Sequence, residues 1–310
     1  MNRRNLIMGG VSGLLAPLFA GPLLAAGKTF FGHNGTPLGL QMGVVGPEFD
    51  KEPVKTLRTI RSIGYRSVEI NVGVRDPAGL RMQLDDAGLA CTSGIISMGP
   101  LSLDKPGPLI EAAQKLRLSD VVLAALMPPA GFRPSQSKDL MAAYVEMTTT
   151  LTAEDYHRTA DKLNEQGRAL ATGGLRLGYH NHNFEFRRFG DETGLEILLK
   201  NTEPALVSFE MDVGWVTAAG LDPIALLKAH PGRFRQMHVK EVAKDTIPNT
   251  VMNIVAAPVG KGIIDWAKVL SAARAAGIKH FYVEQDPPFA IPRTQMITEA
   301  YAYLSQVQAR

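Results

Sequence analysis

Five stretches of this 310-residue chain carry side chains that bind metals or move protons, each at the end of a short apolar run. They read Val68-Glu69-Ile70, Tyr179-His180-Asn181-His182-Asn183-Phe184-Glu185, Phe209-Glu210-Met211-Asp212-Val213-Gly214-Trp215, Met237-His238-Val239-Lys240-Glu241 and Tyr282-Val283-Glu284-Gln285-Asp286. One acid or histidine at a strand end carries little meaning. A series of them becomes a site if the fold makes the ends converge. His180, Asp212, His238 and Glu284 would then surround one divalent ion. Two imidazoles and two carboxylates suit Mn²⁺, Fe²⁺, Co²⁺ or Zn²⁺ better than Ca²⁺, with Mg²⁺ less favoured. His180 and His182 share parity along a strand, so both can face the same way. His180 reads as the ligand and His182 as its neighbour or a substrate contact. Glu69 reads as a polar floor or a substrate contact, and Glu185, farther out, as a solvated group. The plainer alternatives are ion pairs of Asp212 and Glu284 with Arg or Lys, and a core histidine at His238.

The elements that must position these residues follow from the hydrophobic rhythm. Strands are predicted over Leu38–Val44, Arg66–Asn71, Leu89–Gly94, Asp120–Leu126, Leu175–Asn181, Leu206–Asp212, Arg235–Lys240 and His280–Gln285. Helical patterns fall between them, over Glu52–Ile63, Asp76–Ala87, Pro106–Leu116, Thr193–Lys200, Pro223–Ala229, Trp266–Ala276 and Thr294–Val307. A long helix runs from Ala153 to Gly173, with Thr152 as cap and Asp155 in its first turn. Strand–helix alternation without hairpin signals predicts parallel pairing. Eight such units predict a closed single-domain (β/α)8 TIM barrel over residues 27–310, with the site at the C-terminal ends of the strands. An open doubly wound sheet is disfavoured, because Gly43-Val44-Val45-Gly46-Pro47 does not make a phosphate-binding glycine turn. Two connections are long, from Met127 to Thr152 and from Glu241 to Gly262, and such loops cover sites. In the first, Phe132, Met141, Tyr144 and Met147 could form an apolar wall, or Asp139–Met147 an extra surface helix.

Residues 1–26 read as an address. Arg3-Arg4 is followed by Asn5-Leu6-Ile7 and an apolar stretch to Ala26, the parts of a twin-arginine-type export signal. Several glycines and prolines make that stretch a poor membrane helix. The expected location is the periplasm, with no stable membrane association after cleavage. The formal charge is +3, from 33 basic and 30 acidic side chains, and falls to +1 without Arg3 and Arg4. A near-neutral body excludes nucleic acid as an expected partner. The single cysteine, Cys91, excludes an internal disulfide and a thiolate zinc site. Homo-oligomerisation is left open.

With these motifs the chain resembles the xylose isomerase-like barrel superfamily, the sugar phosphate isomerases/epimerases. Their relatives include tagatose/psicose 3-epimerases, hydroxypyruvate isomerase, inosose dehydratase and endonuclease IV. The resemblance spans Leu38–Val307 and rests on Tyr179–Phe186, Met211–Trp215, Met237–Glu241, Gly260-Lys261-Gly262-Ile263-Ile264-Asp265-Trp266 and Tyr282–Gln285. In the epimerases it implies a metal held by Glu, Asp, His and Glu, and Asp212, His238 and Glu284 fall on the last three positions. Strand five departs, with His180-Asn181-His182 where the epimerases have a glutamate. A two-carboxylate epimerisation is therefore in question, and His-x-His also occurs in dehydratase-like relatives. The resemblance implies a sugar isomerase or epimerase acting through a metal-stabilised enediolate. A lyase or dehydratase on a keto-sugar, keto-glycoside or inosose-like substrate is the alternative, and a non-catalytic sugar-binding barrel the second. Glu284 is the expected base, and His180 or His182 the group that returns the proton. Lys240 is expected to hold an oxygen, and Trp215 and Phe184 to stack on the sugar. Asn183, Glu241 and Glu69 complete the expected substrate contacts. A free sugar is expected over a sugar phosphate.

Overall fold

Short, mostly apolar runs form the strands, and amphipathic segments between them form the helices. A computed structural model describes residues 29–32, 35–96, 105–129, 131–135 and 139–308. The arginine pair and apolar stretch read as an export signal lie outside the described residues. The barrel strands are β1 Gly39–Gln41, β2 Ser67–Asn71, β3 Ala90–Ile96, β4 Asp120–Leu123, β5 Arg176–His180, β6 Val207–Asp212, β7 Phe234–Val239 and β8 His280–Val283. All neighbouring pairs are parallel. β1 pairs with both β2 and β8 and closes the barrel.

The helices are α1 Gly46–Lys51, α2 Pro53–Ile63, α3 Pro77–Ala87, α4 Pro106–Leu116, α5 Leu140–Thr150, α6 Ala153–Ala171, α7 Gly194–Asn201, α8 Val213–Ala218, α9 Pro223–Ala229, α10 Trp266–Ala276 and α11 Arg293–Leu304. Their starts follow local chemistry. Proline occupies the first turn of α2, α3, α4 and α9, where its missing N–H costs nothing. Asp155 carries the reciprocal cap of α6, accepting from Thr152 N at 2.9 Å.

Several details add to or sharpen the expected elements. β1 stops at Gln41 rather than Val44, because Met42–Val45 turns into a 3₁₀ segment that leads to Pro47 in the first turn of α1. The first long connection contains α5, the extra helix that was one of its two expected forms, and Asp139 caps it by accepting from Met141 N at 2.9 Å. α8 follows β6 without a loop, and its short length left little periodicity to read.

Buried aliphatic and aromatic side chains fill the space between barrel and helices, among them Leu40, Leu57, Val68, Leu177 and Phe209. Phe30 and Phe31 are buried against Phe281 at ring-centroid distances of 5.2 and 5.5 Å, and Phe30 N donates to Val307 O. Phe30 and Phe31 thus pack against β8 of the barrel. Among the described residues, no helix is long and apolar enough to cross a membrane.

Candidate active site

Alternation along a strand sends every second side chain toward the barrel axis. β5, β6, β7 and the residues after β8 each deliver such a pair: His180 with His182, Glu210 with Asp212, His238 with Lys240, Glu284 with Asp286. Neighbouring registers bring them together, with His180 beside Glu210, Asp212 beside His238 and His238 beside Tyr282.

His180, Asp212 and His238 are buried, and one donor atom from each lies within 4.8 Å of the others. Asp212 Oδ2 is 3.8 Å from His180 Nε2 and 3.8 Å from His238 Nδ1. The other oxygen, Oδ1, accepts from Trp215 N at 3.0 Å and caps α8, which fixes the carboxylate's direction. Asn181 Oδ1 accepts from Asp212 N and ties the ends of β5 and β6. Behind the imidazoles, His180 Nδ1 is 2.9 Å from Glu210 Oε2. His238 Nε2 is 2.7 Å from Glu69 Oε2 and 3.2 Å from Glu210 Oε2.

Beside this triangle sits one ammonium. Lys240 Nζ is 2.8 Å from Asp212 Oδ2, 2.8 Å from Asp286 Oδ2, and in contact with Glu284 Oε2. It also lies 5.1 Å from the Trp215 ring centroid, a cation–π contact. Its stem passes where only glycine fits, since a Cβ on Gly214 would come 2.6 Å from Lys240 Cγ. Lys240 is 2% exposed on its side chain, whereas Glu284 and Asp286 keep 16% and 31% and so line the way in.

The charges follow from burial and pairing. Burial opposes the charge of Lys240, but Asp212, Asp286 and Glu284 outweigh it and hold the ammonium well above its usual range. Burial likewise opposes charge on His238, but Glu210 and Glu69 push it up to about 10. Burial, then His238, His182 and Lys240, hold His180 well below the usual imidazole range. Burial and Lys240 push His182 down to about 3. Burial raises Asp212 and pushes Glu284 up to about 7, with Lys240 opposing both. Burial and then Glu69 hold Glu210 well above the carboxylate range. His182 is therefore neutral and stores no proton to return.

The donor set fits a divalent ion. Two imidazole nitrogens and one carboxylate oxygen converge, the other nitrogens are engaged behind them, and buried His238 Nδ1 has no hydrogen-bond partner among the described residues. Loading would displace the proton from Nδ1 of His238. Glu284 stands outside the triangle, because Lys240 holds its carboxylate.

Several expected contacts lie elsewhere. Glu69, read as a polar floor or a substrate contact, takes the floor position: it has no exposed surface, and Ser93 Oγ donates to its Oε1 at 2.7 Å. Glu241 is buried and accepts from Val242 N, Gly260 N, Ile264 N and Trp266 Nε1, which leaves it nothing for a substrate. Asn183 donates to Asn249 and Asn253 and accepts from Met252 N, so it fastens the second long connection. Glu185 is buried, not solvated: it accepts from Tyr179 Oη at 2.7 Å and His182 N at 2.9 Å, and burial pushes it up to about 8. Phe184 is buried with no exposed surface and stacks on His182 at 5.7 Å, with Tyr144 of α5 edge-on to both. It supports His182 rather than meeting a sugar. Trp215, tilted against His182 at 5.5 Å, stays at the site. Glu210 and Asp286 were in the motifs but given no role. Their parity with Asp212 and Glu284 was the signal that placed them on the axis.

The model of the xylose isomerase-like TIM barrel family matches residues 57–306. The inosose dehydratase of Geobacillus thermodenitrificans (strain NG80-2) is 33% identical over 157 residues, covering 46% of this chain and 51% of that protein. The chain spans about half the length of the curated relatives it matches. A crystal structure of a sugar phosphate isomerase/epimerase from Parabacteroides distasonis ATCC 8503 superposes with a TM-score of 0.67 at 22% identity, covering 87% of this chain and 96% of that one. The D-psicose 3-epimerase of Clostridium cellulolyticum H10 superposes at 0.62 with 13% identity, over 89% of this chain and 100% of that one. Likeness at such identities speaks for the fold alone.

Proposed function

The chain belongs to the xylose isomerase-like TIM barrel family, and from that premise and the site's geometry we propose a metal-dependent sugar lyase. It removes a proton beside the carbonyl of a keto-sugar or inosose-like polyol and expels a hydroxyl as water. The observation that carries this reading is the one-sidedness of the acid/base groups. The partly exposed carboxylates, Glu284 and Asp286, both follow β8. Across from them β5 presents neutral imidazoles, and the carboxylate nearest to them, Glu210, is buried behind His180. Epimerisation needs proton transfer on both faces of a carbon. Elimination of a hydroxyl from the same face as the proton needs one group.

A divalent ion held by His180, Asp212 and His238 would supply Lewis-acid polarisation of the carbonyl and a neighbouring hydroxyl. Glu284 takes the carbon-bound proton and passes it to the departing hydroxyl, so that one C–H and one C–O bond break and a C=C bond forms. Three carboxylates surround Lys240 at rest. When Glu284 becomes neutral it releases its share of that ammonium, and an N–H of Lys240 turns to negative charge developing on the substrate oxygen. His182, neutral and fixed by Phe184 and Trp215, donates or accepts a hydrogen bond at a substrate hydroxyl without changing charge. Two carboxylates at the entrance repel anions, which supports a neutral polyol over a sugar phosphate or uronate. We place this work in the periplasm, reading residues 1–26 as an export signal. N-terminal sequencing of the mature protein from a periplasmic extract tests that placement.

The test of the reaction is incubation of Mn²⁺-, Co²⁺- or Zn²⁺-loaded protein with inosose and with 3-keto-glucose in D₂O, followed by NMR and mass spectrometry. Loss of water with formation of an unsaturated ketone or its diketone tautomer is expected. Solvent deuterium in an isomer of unchanged composition would replace the lyase by an isomerase or epimerase. Binding without turnover of any keto-sugar would leave a sugar-binding barrel.

A further inference from the structure

We propose that Glu210 and Glu69 are the positioning residues of the metal site, and that they make the two imidazoles present opposite nitrogens to it. The inference rests on the metal reading above and deepens it. Glu210 Oε2 is 2.9 Å from Nδ1 of His180 and 3.2 Å from Nε2 of His238. One carboxylate thus addresses a different nitrogen on each ring. Glu69 Oε2 adds a second acceptor at 2.7 Å from His238 Nε2. Glu69 is itself held from below by Ser93 Oγ at 2.7 Å, and both glutamates and Ser93 have at most traces of exposed surface.

A ring nitrogen that donates to a carboxylate keeps its proton and leaves the other nitrogen's lone pair free. His180 then keeps Nδ1–H and offers Nε2. His238 keeps Nε2–H and offers Nδ1. These are the two nitrogens that lie 3.8 Å from Asp212 Oδ2. The ring centroids stand 4.6 Å apart at a tilt of 58°, so turning either ring over would carry its free nitrogen down into the acidic floor. An acceptor oxygen behind each ring also makes its imidazole a stronger donor to a cation.

Two acidic side chains at the bottom of a barrel cost free energy to bury and contribute less than apolar packing would. Neither reaches the entrance, so neither meets a substrate. Their position makes sense if they act through the imidazoles.

Two measurements test this. The first is the side-chain ¹⁵N spectrum of the Zn²⁺-loaded full chain, which reports the protonated nitrogen of each ring. His180 should be protonated at Nδ1 and His238 at Nε2. The same tautomer at both would overturn the proposal with no variant involved. The second is Co²⁺ affinity and visible absorption for the wild type, Glu210→Gln and Glu69→Gln. Both variants should fold, because an amide keeps an acceptor oxygen. Glu210→Gln should lose about 10- to 100-fold in affinity with a changed Co²⁺ spectrum, and Glu69→Gln less, since it touches one ring. Affinity and spectrum equal to wild type in both variants would overturn the positioning role while leaving the metal site standing. A wild type that takes up no Co²⁺ or Zn²⁺ would overturn the metal reading itself, and the positioning role with it.

Discussion

Glu241 and the trio Asp212, Glu284 and Asp286 are all carboxylates at the strand ends of this barrel, and they behave in opposite ways. Glu241 accepts four hydrogen bonds, from three backbone N–H groups and the Trp266 indole, so both oxygens are saturated. Asp212, Glu284 and Asp286 each turn one oxygen toward a single shared ammonium, and none of these three oxygens has a hydrogen-bond donor with good geometry among the described residues. Residue type and strand-end position are the same in both sets. What differs is whether the lone pairs are used up. A saturated carboxylate holds a loop in place; an unsaturated one keeps capacity for a substrate, a proton or a metal.

The sharpest way to break the comparison is Glu284→Gln. The fold should survive, because the residue is partly exposed and makes no structural hydrogen bond of good geometry. Turnover should fall by about 10²- to 10⁴-fold, the range for removing a general base. Near-normal turnover with unchanged thermal melting would remove Glu284 from the reaction. Next in size is Asp212→Asn. It keeps the cap to Trp215 N through its amide oxygen but loses the charged oxygen between the two imidazoles. Metal affinity, read by titration with Co²⁺, should drop by more than the about 10- to 100-fold expected for an outer-sphere partner. A drop smaller than that of Glu210→Gln would mean that Asp212 is no ligand.

Glu241→Gln should do the reverse of Glu284→Gln. An amide nitrogen would point an N–H at donors that now meet an oxygen, and the connection from Glu241 to Gly262 would lose its anchor. Stability should fall by about 2–4 kcal/mol, measured by denaturant unfolding, while metal affinity and activity per folded molecule stay at the wild-type level. Wild-type stability with lost activity would show that Glu241 faces the substrate after all.

This contrast also explains how far the sequence could be read. The barrel was legible because most strands are compact apolar runs and most helices have their own cap or proline start, signals that are local. The cluster of candidate ligands was legible because His180, Asp212 and His238 lie at the ends of successive strands that a barrel must bring together. Glu241 was misread because its four partners come from residues 242–266, a connection without periodicity. Glu69 was left between a polar floor and a substrate contact, because its pairing with His238 crosses the barrel and one sequence does not reveal it. Glu210 and Asp286 were legible in principle. Each lies two residues from a recognised site residue, so alternation sends both toward the axis. Lys240 drawing Glu284 out of the donor set was not, because it depends on three strands meeting at one atom.

The smallest predicted effect is the most diagnostic of the unsaturated set. Burial, with Asp286 and Asp212 adding and Lys240 and His238 opposing, pushes the Glu284 carboxyl up to about 7. A base works in its charged form, so kcat/KM should fall about tenfold per pH unit below pH 7 and flatten above it. Asp286→Asn removes a neighbouring negative charge and leaves Lys240 to Glu284 and Asp212. Both changes favour the charged form of Glu284, so the acid limb of the profile should move to lower pH. Glu241→Gln should leave the limb where it is, since its donors belong to the loop and not to Lys240. A limb that moves with Glu241 and ignores Asp286 would invert the assignment of the two carboxylate sets.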